Sequence, residues 1–199
     1  MFFESVETEE VPSPRITPAL PPWMGPPFTE RGTILLTDRL LGRSGNVVLH
    51  LPLIRAYKTG CAFEVELTVR QGDLPAGDFL DLMMTHMYNA PHFRMRAGEP
   101  LPDRLLRWGV RYRDGTKLTT IDRREPGSTE PMLYAMASGD GLRTGSLSSG
   151  IRLWLWPLPP QEPFELAVEW PMGGIELSIT EIDGAAIAAA SERSTDYWP

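Results

Sequence analysis

The chain has 199 residues, of which 42% are hydrophobic and 9% aromatic, and 20 prolines and 18 glycines are spread along it. This length is enough for one large domain with an apolar core, and the frequent breakers exclude a protein of long helices. The formal net charge of −7 disfavours non-specific binding to nucleic acid or to an anionic membrane, since both require a basic surface.

The start of the chain and its cysteine content bear on the compartment. After Met1 the first charged residues are acidic rather than basic, which argues against a secretory leader. No run approaches the ~18 apolar residues that a membrane-spanning helix needs. Cys61 is the single cysteine, so an internal disulfide is excluded and a reducing compartment fits. We therefore expect a cytoplasmic protein.

The first thirty residues divide into two parts. Residues 1–10 are acidic and show no periodicity, which predicts a mobile tail. Residues 11–30 are dense in proline and also carry apolar side chains such as Trp23. Proline fixes φ and lacks an amide donor, so we predict an extended, polyproline-like strap that lies across the fold. Residues 11–199, with this strap included, are predicted to form one domain.

Two strands are predicted at 46–57 and 61–70, joined by a turn around Gly60. In the second strand, apolar residues alternate with polar ones, which is typical of a strand with one buried face. Cys61 falls on the buried face. Pro52 cannot donate to a sheet ladder, so we expect the first strand to lie at an edge or to contain a bulge there.

The middle of the chain predicts a helix and a hairpin. Apolar residues at helical spacing predict a short helix over 77–89 with Asp78 as its N-cap. Residues 105–113 then alternate as a strand, and Asp114-Gly115 follows at once. This pair predicts a type I′ turn and a return strand at 116–121.

The last third of the chain is predicted to form β-strands followed by one helix. A strand is predicted at 132–137, and the glycine- and serine-rich residues 138–150 predict a mobile loop. Further strands are predicted at 151–156, 164–170 and 175–182. Asp183 is expected to cap an alanine-rich helix that ends near Ser191.

Short strands with frequent turns and no βαβ alternation indicate the fold class. They predict a mainly β protein, an antiparallel β-sandwich of the jelly-roll or immunoglobulin-like kind. The proline-rich strap precedes this sandwich and the short C-terminal helix follows it.

Several short segments of the chain, taken in their order and spacing, resemble those of a known protein family. They are Pro22-Trp23-Met24-Gly25-Pro26-Pro27, Arg55-Ala56-Tyr57-Lys58-Thr59-Gly60, Leu106-Arg107-Trp108-Gly109-Val110, Asp114-Gly115-Thr116-Lys117, Trp154-Leu155-Trp156-Pro157-Leu158-Pro159-Pro160 and Glu169-Trp170-Pro171. As a set they resemble a family of actinobacterial proteins of unknown function, and the resemblance covers most of residues 22–198. It implies one cytoplasmic domain and transfers no activity, ligand or catalytic residue.

The strand predicted at 151–156 is apolar on both faces, because Trp154 and Trp156 alternate with aliphatic residues. Such a strand should be covered on both sides. The cover is expected from the Trp23 strap or from the C-terminal helix with Trp198, since buried aromatic side chains usually serve packing. The alternative is an exposed aromatic patch that binds a partner or a sugar-like ligand. Trp154, Trp156 and Trp23 are therefore candidate binding residues.

Seven basic residues fall between positions 104 and 124, among them Arg107, Arg111 and Arg113. Such a stripe is suited to an anionic partner, which makes the predicted Arg107–Arg124 hairpin a candidate anion site. The alternative is that Arg107 and Arg111 face carboxylates such as Glu64 and Glu66 across neighbouring strands. The acidic total of the chain favours this second interpretation.

No motif in the chain fixes a chemistry. His86 and His92 lie near Asp78 and Asp81, but their spacing matches no established metal signature. Cys61 is expected to be a buried, inert thiol, the serines lack a nucleophile elbow, and the glycine-rich segments lack the ending of a phosphate loop. We predict no catalytic residue, no metal and no cofactor.

The sequence thus favours a non-enzymatic interaction or scaffold protein. Its expected partner is another protein or a second copy of itself, with membranes and nucleic acid disfavoured. An enzyme of unfamiliar type with a site near His86 and His92 is the alternative. Binding of an anionic ligand by the Arg107–Arg124 hairpin is a further one.

Overall fold

A computed structural model describes residues 21–85, 98–122, 130–143 and 145–198, and at 85 and 137–143 only the backbone. The strands are β1 (Glu30–Arg31), β2 (Thr33–Arg43), β3 (Val47–Tyr57), β4 (Gly60–Arg70), β5 (Arg107–Arg111), β6 (Lys117–Thr119), β7 (Met132–Arg143), β8 (Ser146–Trp156), β9 (Phe164–Trp170), β10 (Ile175–Ile182) and β11 (Thr195–Asp196). The helices are α1 (Ala76–Thr85) and α2 (Gly184–Ser191), with short 3-10 turns at Pro22–Met24 and Pro171–Gly173.

Two antiparallel sheets carry the fold. One has five strands in the order β2-β3-β4-β8-β7, and the other has four in the order β10-β9-β5-β6. Buried side chains from both sheets join in one apolar core, in which Phe63 of β4 meets Phe164 of β9 edge to face, with ring centroids 6.4 Å apart. The predicted antiparallel, mainly β, sandwich-like architecture is confirmed. A short ribbon of β1 and β11 lies beside it.

Strand β4 follows the alternation in its sequence closely. Its inward residues are Cys61, Phe63, Val65, Leu67 and Val69, each at most 1% exposed. On the other face Glu66 and Thr68 are exposed. Full burial of each large apolar side chain contributes about 1.5–3 kcal/mol, so this strand is a major part of the core.

Pro52 lies at a bulge, as expected. The ladder pairs His50 with Glu66 and Leu53 with Glu64, so three steps along β3 match two along β4. The alternative of an edge position is excluded, because β3 pairs with β2 on its other side. The extra residue lets the chain pass a position without an amide donor in the middle of a sheet.

The prediction of a mobile loop over 138–150 is wrong. Strand β7 continues to Arg143, β8 begins at Ser146, and the two meet at a tight turn where Gly145 has φ +73°. The serines and Gly150 pair with β4 in unbroken register from Arg70 opposite Ser146 to Cys61 opposite Leu155. Backbone pairing on both sides of β8 thus outweighs the low strand propensity of these residues.

The hairpin of β5 and β6 is confirmed, but the predicted type I′ turn is wrong. That turn needs positive φ at two successive residues, and here Gly115 has φ +90° while Asp114 does not have positive φ. The Gly115 amide donates to the Tyr112 carbonyl, and the Tyr112 amide donates to the Thr116 carbonyl. This is a three-residue loop with glycine in the left-handed position, so only the glycine has to adopt an unusual backbone conformation.

The two helices test the capping predictions. Helix α1 begins at Ala76, so Asp78 lies in its first turn and the predicted N-cap is wrong, and residues 86–89 lie outside the described chain. In α2 the prediction is confirmed, because the Asp183 carboxylate accepts a 3.0 Å hydrogen bond from the Ala186 amide. Within the described ranges, no helix has the length and hydropathy to cross a membrane.

Strand β2 was not foreseen from the sequence. It is an edge strand of the larger sheet and pairs only with β3 there. Its pairing shifts register between Leu36 and Arg39, at a bulge where Asp38 has φ +47°. The register shifts interrupt the two-residue period of the strand, so no simple alternation is visible in the sequence.

The described part of the strap, residues 21–30, contains a 3-10 turn, a second turn at 28–29 and the first residue of β1. Residues Pro22–Met24 form a 3-10 turn, which differs from the polyproline conformation predicted there. Its end is fixed by the buried carboxylate of Glu30, which accepts hydrogen bonds from the Lys58 amide and the Ser194 hydroxyl. Residues 1–20, which include the predicted acidic tail, lie outside the described chain.

Candidate protein-interaction surface

Trp154 points to the outer face of the five-stranded sheet and is fully buried there. Its ring packs edge to face on Tyr57, with centroids 5.6 Å apart, and its indole N–H donates to the Pro22 carbonyl at 2.9 Å. The backbone of Gly60 packs closely against this part of β8, and no larger residue fits there, because a Cβ would lie 2.6 Å from the Leu155 carbonyl oxygen. The internal cover expected from the strap is therefore present over Trp154.

The other aromatic candidates lie at the margin of this cluster, which we call the covered cluster and define as Tyr57, Ala62 and Trp154. Trp156 is partly buried and packs against it, and Trp23 is partly buried in the strap turn. Trp198 is two-thirds exposed, and Ile187 and Ala190 of the C-terminal helix belong to the main core rather than to the covered cluster.

Burial raises the pKa of the Tyr57 phenol, and the nearby Tyr197 hydroxyl acts weakly in the same direction. Tyr57 therefore stays neutral at physiological pH. The C-terminal segment is held against the end of the strap by a 2.8 Å hydrogen bond from the Tyr197 amide to the Thr29 carbonyl.

Beyond the strap, the same sheet ends in an open edge. Along β2 the side chains of Ile34, Leu36 and Leu40 are 47%, 85% and 57% exposed. Ile34 lies opposite Arg55 and Leu36 lies opposite Leu53, so the apolar row continues the outward face of β3. We call Ile34, Leu36 and Leu40 the edge row. An edge strand with exposed apolar side chains is what soluble proteins usually avoid unless another chain binds there.

Positive charge surrounds the edge row although the chain is acidic overall. Arg31, Arg39 and Arg43 are exposed, and none of them has an ion-pair partner within the described ranges. The nearby carboxylate of Asp38 is engaged by His50, whose Nε2 lies 2.8 Å from its Oδ1. Residues 31–43 thus carry three exposed arginines against the single carboxylate of Asp38, so the open edge has a net positive charge.

An exposed aromatic group adjoins the start of β2. Phe28, Tyr197 and Trp198 are each more than half exposed, and the Tyr197 and Trp198 rings lie 5.8 Å apart. The pairing of β1 with β11 brings these residues next to Arg31. Aromatic and arginine side chains are the types enriched in the centres of protein interfaces.

The central strands of the four-stranded sheet carry balanced ion pairs on their outer face, while its edge strand β10 exposes Leu177 and Ile179. Arg107 lies 2.6 Å from a Glu169 oxygen, and Arg111 lies 2.5 Å from a Glu165 oxygen. The acidic partners predicted from the sequence were the wrong ones. Strand β5 pairs with β9 rather than β4, so the facing carboxylates are Glu169 and Glu165.

The residues named in that prediction lie on the other sheet. Glu64 accepts from Arg152 at 2.9 Å, and a Glu66 oxygen lies 3.6 Å from His50 Nδ1. Strand order is what places an acid beside an arginine, and sequence alternation does not reveal strand order.

The pairing of Arg111 shifts both titrations. The hydrogen bond from Arg111 lowers the pKa of Glu165, and the same contact raises the pKa of Arg111. A shallow pocket of ≈ 320 Å³ opens here, lined in part by Arg111, Arg113, Glu165 and Glu181. Because carboxylates match the arginines in this pocket, it offers little net attraction to an anion.

The residues considered for metal binding or catalysis do not form a site within the part of the chain that the structure describes. His86, His92, Arg123 and Arg124 lie outside them, and within them no three His, Cys, Asp or Glu side chains converge as metal ligands. Cys61 is fully buried, and burial raises the pKa of its thiol, so the reactive thiolate is suppressed.

Comparisons with protein-family models, with curated proteins and with solved structures gave no significant match. The edge row was missed in the sequence because β2 itself was missed. Its one visible signal is the concentration of aliphatic residues in 34–41 between charged positions.

Proposed function

We propose that this protein is a non-enzymatic interaction module that binds an extended segment of another polypeptide along the open edge of β2. The observation that carries the proposal is the edge row, in which Leu36 is 85% exposed on a strand with no second neighbour in its sheet. An added strand would satisfy the free backbone groups of β2 and bury these side chains.

The bulge in β2 determines how many of its residues can pair with an added strand. Regular pairing with β3 holds from Thr33 to Leu36 and shifts after Leu36, where Asp38 adopts positive φ. A bulge of this kind limits continued edge pairing. We therefore assign the added strand to Thr33–Leu36, with Leu40 as a side-chain contact beyond the bulge.

The aromatic group supports the same face. Phe28, Tyr197 and Trp198 supply the large, rigid side chains that dominate binding energies at interfaces. Together with the edge row they extend the surface from the strap to the bulge. A strand of four residues alone would bury too little area for a stable complex, so this extension matters.

The cytoplasm is the proposed location and the actinobacterial family the proposed kinship. The first is supported by a single, fully buried cysteine in an acidic chain. The second rests on the sequence segments that resemble that family. An enzyme with a site at His86 and His92 stays a prediction from the sequence alone.

Site-specific crosslinking tests the proposal. A benzophenone side chain at position 36 should crosslink a polypeptide in cells of the native host, and the crosslinked peptide should map to one segment of one partner. The matched control is the same probe at Leu177, which is 62% exposed on β10 of the other sheet. The isolated partner segment, made as a peptide, should bind the purified protein and lose binding to the Leu36→Lys variant.

Two results would reject the proposal. One is an equal crosslinking pattern at positions 36 and 177. The other is a purified segment that binds the Leu36→Lys variant as well as the unaltered protein. A crosslink between two copies of this chain at position 36 would make the segment its own β2 and keep the interaction function.

A further inference from the structure

The N-terminal residues 1–11 have the chemistry that complements the open edge. They combine apolar side chains with four carboxylates: Phe2, Phe3, Val6, Val11, Glu4, Glu7, Glu9 and Glu10. The edge row is apolar and the cations around it are unbalanced, as described above. A strand that carries both apolar and acidic side chains fits such a surface in burial and in charge.

The strap brings this segment within reach of β2. Trp154, whose indole binds the Pro22 carbonyl, lies on the same cross-strand row as Ala62, Arg55 and Ile34. Three strand spacings separate it from Ile34, which is about 14 Å at ~4.8 Å each. Residues 12–20 precede the strap turn, and nine residues in a polyproline conformation span about 28 Å. The length of the intervening chain is therefore sufficient to place residues 1–11 beside β2.

We propose that residues 1–11 of this chain occupy the open edge of β2 as an added strand, and that the partner must displace them. This inference rests on the proposed function, because it describes the regulation of the same edge. Tethering makes the segment an intramolecular competitor, so its local concentration is high without any second molecule. The partner's apparent affinity then falls in proportion to the fraction of protein with a free edge.

Charge reversal in the full chain tests the inference. In the unaltered protein, the outward-facing amides of Thr33–Leu36 should exchange with solvent about tenfold more slowly than in the Glu7→Lys/Glu10→Lys variant. The matched control is Glu176→Lys/Glu192→Lys, which makes the same change in net charge at exposed positions outside β2 and outside the N-terminal segment. This control should leave the exchange at β2 unchanged, and amide exchange of β4 should be equal in all three proteins.

A peptide supplies the second arm. A labelled peptide of residues 1–11 should bind the Glu7→Lys/Glu10→Lys protein at least tenfold more tightly than it binds the unaltered protein, whose edge is occupied. Replacement of the four glutamates by glutamine in the peptide should weaken binding. Adding Leu36→Lys to the protein should also abolish it, while Leu177→Lys should not.

The outcomes separate the two proposals. If the amides of Thr33–Leu36 exchange equally in all variants and the peptide does not bind, the inference is wrong, and crosslinking at position 36 still decides the proposed function. If light scattering shows that the unaltered protein is a dimer and the reversed variant a monomer, the segment acts between copies, which overturns the intramolecular form. If no polypeptide crosslinks at position 36 but the peptide binds, the edge serves only the protein's own tail and the proposed function fails.

Discussion

The two outward sheet faces of this protein are protected from solvent in different ways. The four-stranded sheet carries ion pairs such as Arg107 with Glu169, which are compatible with water. The five-stranded sheet carries aromatic side chains, and part of it is covered by the strap turn at Pro22–Met24. Its remaining part, along β2, has neither a cover nor a balanced set of charges among the described residues.

This difference separates stability from binding. A face that is covered by the chain itself adds to the core, while a face of paired charges adds solubility and little free energy. An apolar face with neither is not explained by folding. Substitutions in the three regions should therefore change the free energy of unfolding by different amounts.

Truncation at the covered cluster should cost the most. Trp154→Ala removes a fully buried indole and its hydrogen bond to Pro22, so we expect a loss of about 3–5 kcal/mol in the free energy of unfolding, measured by urea denaturation. Trp198→Ala, which removes an exposed indole, should change it by less than about 0.5 kcal/mol. Equal effects would show that the strap does not stabilise the outer face.

The ion-paired face should respond less. Arg107→Met breaks the contact with Glu169 and two 3.1 Å hydrogen bonds to the carbonyls of Leu101 and Pro102, and we expect a loss of about 1–3 kcal/mol. Arg111→Met, at the exposed pair on the same strand, should have a smaller effect. If Arg111→Met is the more damaging variant, burial of the pair is not what sets its contribution.

The open edge should be nearly neutral to folding. Leu36→Lys replaces a side chain that is mostly in water, so its free energy of unfolding should lie within about 0.5 kcal/mol of the unaltered protein. Its solubility at high concentration should rise, because an exposed apolar edge promotes association. A large loss of stability would show that Leu36 is packed rather than available.

The exposed pair should contribute a small pH-dependent term. Arg111 lowers the pKa of Glu165 below its ordinary value of 4.5, so the folded state holds this proton less tightly than the unfolded chain. The stabilisation is present above pH 4.5 and is lost as the pH falls through the lower, folded-state pKa. The difference in unfolding midpoint between the unaltered protein and Glu165→Gln should therefore shrink on acidification. The matched control is Glu176→Gln, which makes the same substitution at an exposed position on β10.

The strands that could be predicted are those in which one face is buried and the other is wet. In β4 and β5 apolar and polar residues therefore alternate with a period of two. Phe63 and Trp108 lie at the apolar positions of this pattern and are buried. The same reasoning foresaw that Trp154 needs a cover. These features depend on local pattern alone.

The features that could not be predicted depend on which strands lie next to each other, and the sequence does not reveal strand order. Two bulges hide the period of β2, and pairing on both sides keeps the serines of β8 in a strand. The partner of Arg107 follows from β5 lying beside β9, and the edge row follows from β2 lying last in its sheet. Strand order thus decided both the charge pairing and the candidate surface.

The hydrogen bond between Trp154 and Pro22 joins residues 132 positions apart, and this separation has a consequence for the order of folding. During synthesis the strap turn is made long before the strand that it will cover, so it has no docking surface until β8 has paired with β4. Contacts of such long range form late, because the entropy of closing the loop must be offset by structure already in place. The strap should therefore be among the last parts to dock, and a nascent chain that stalls before β8 would leave its aromatic residues exposed to chaperones.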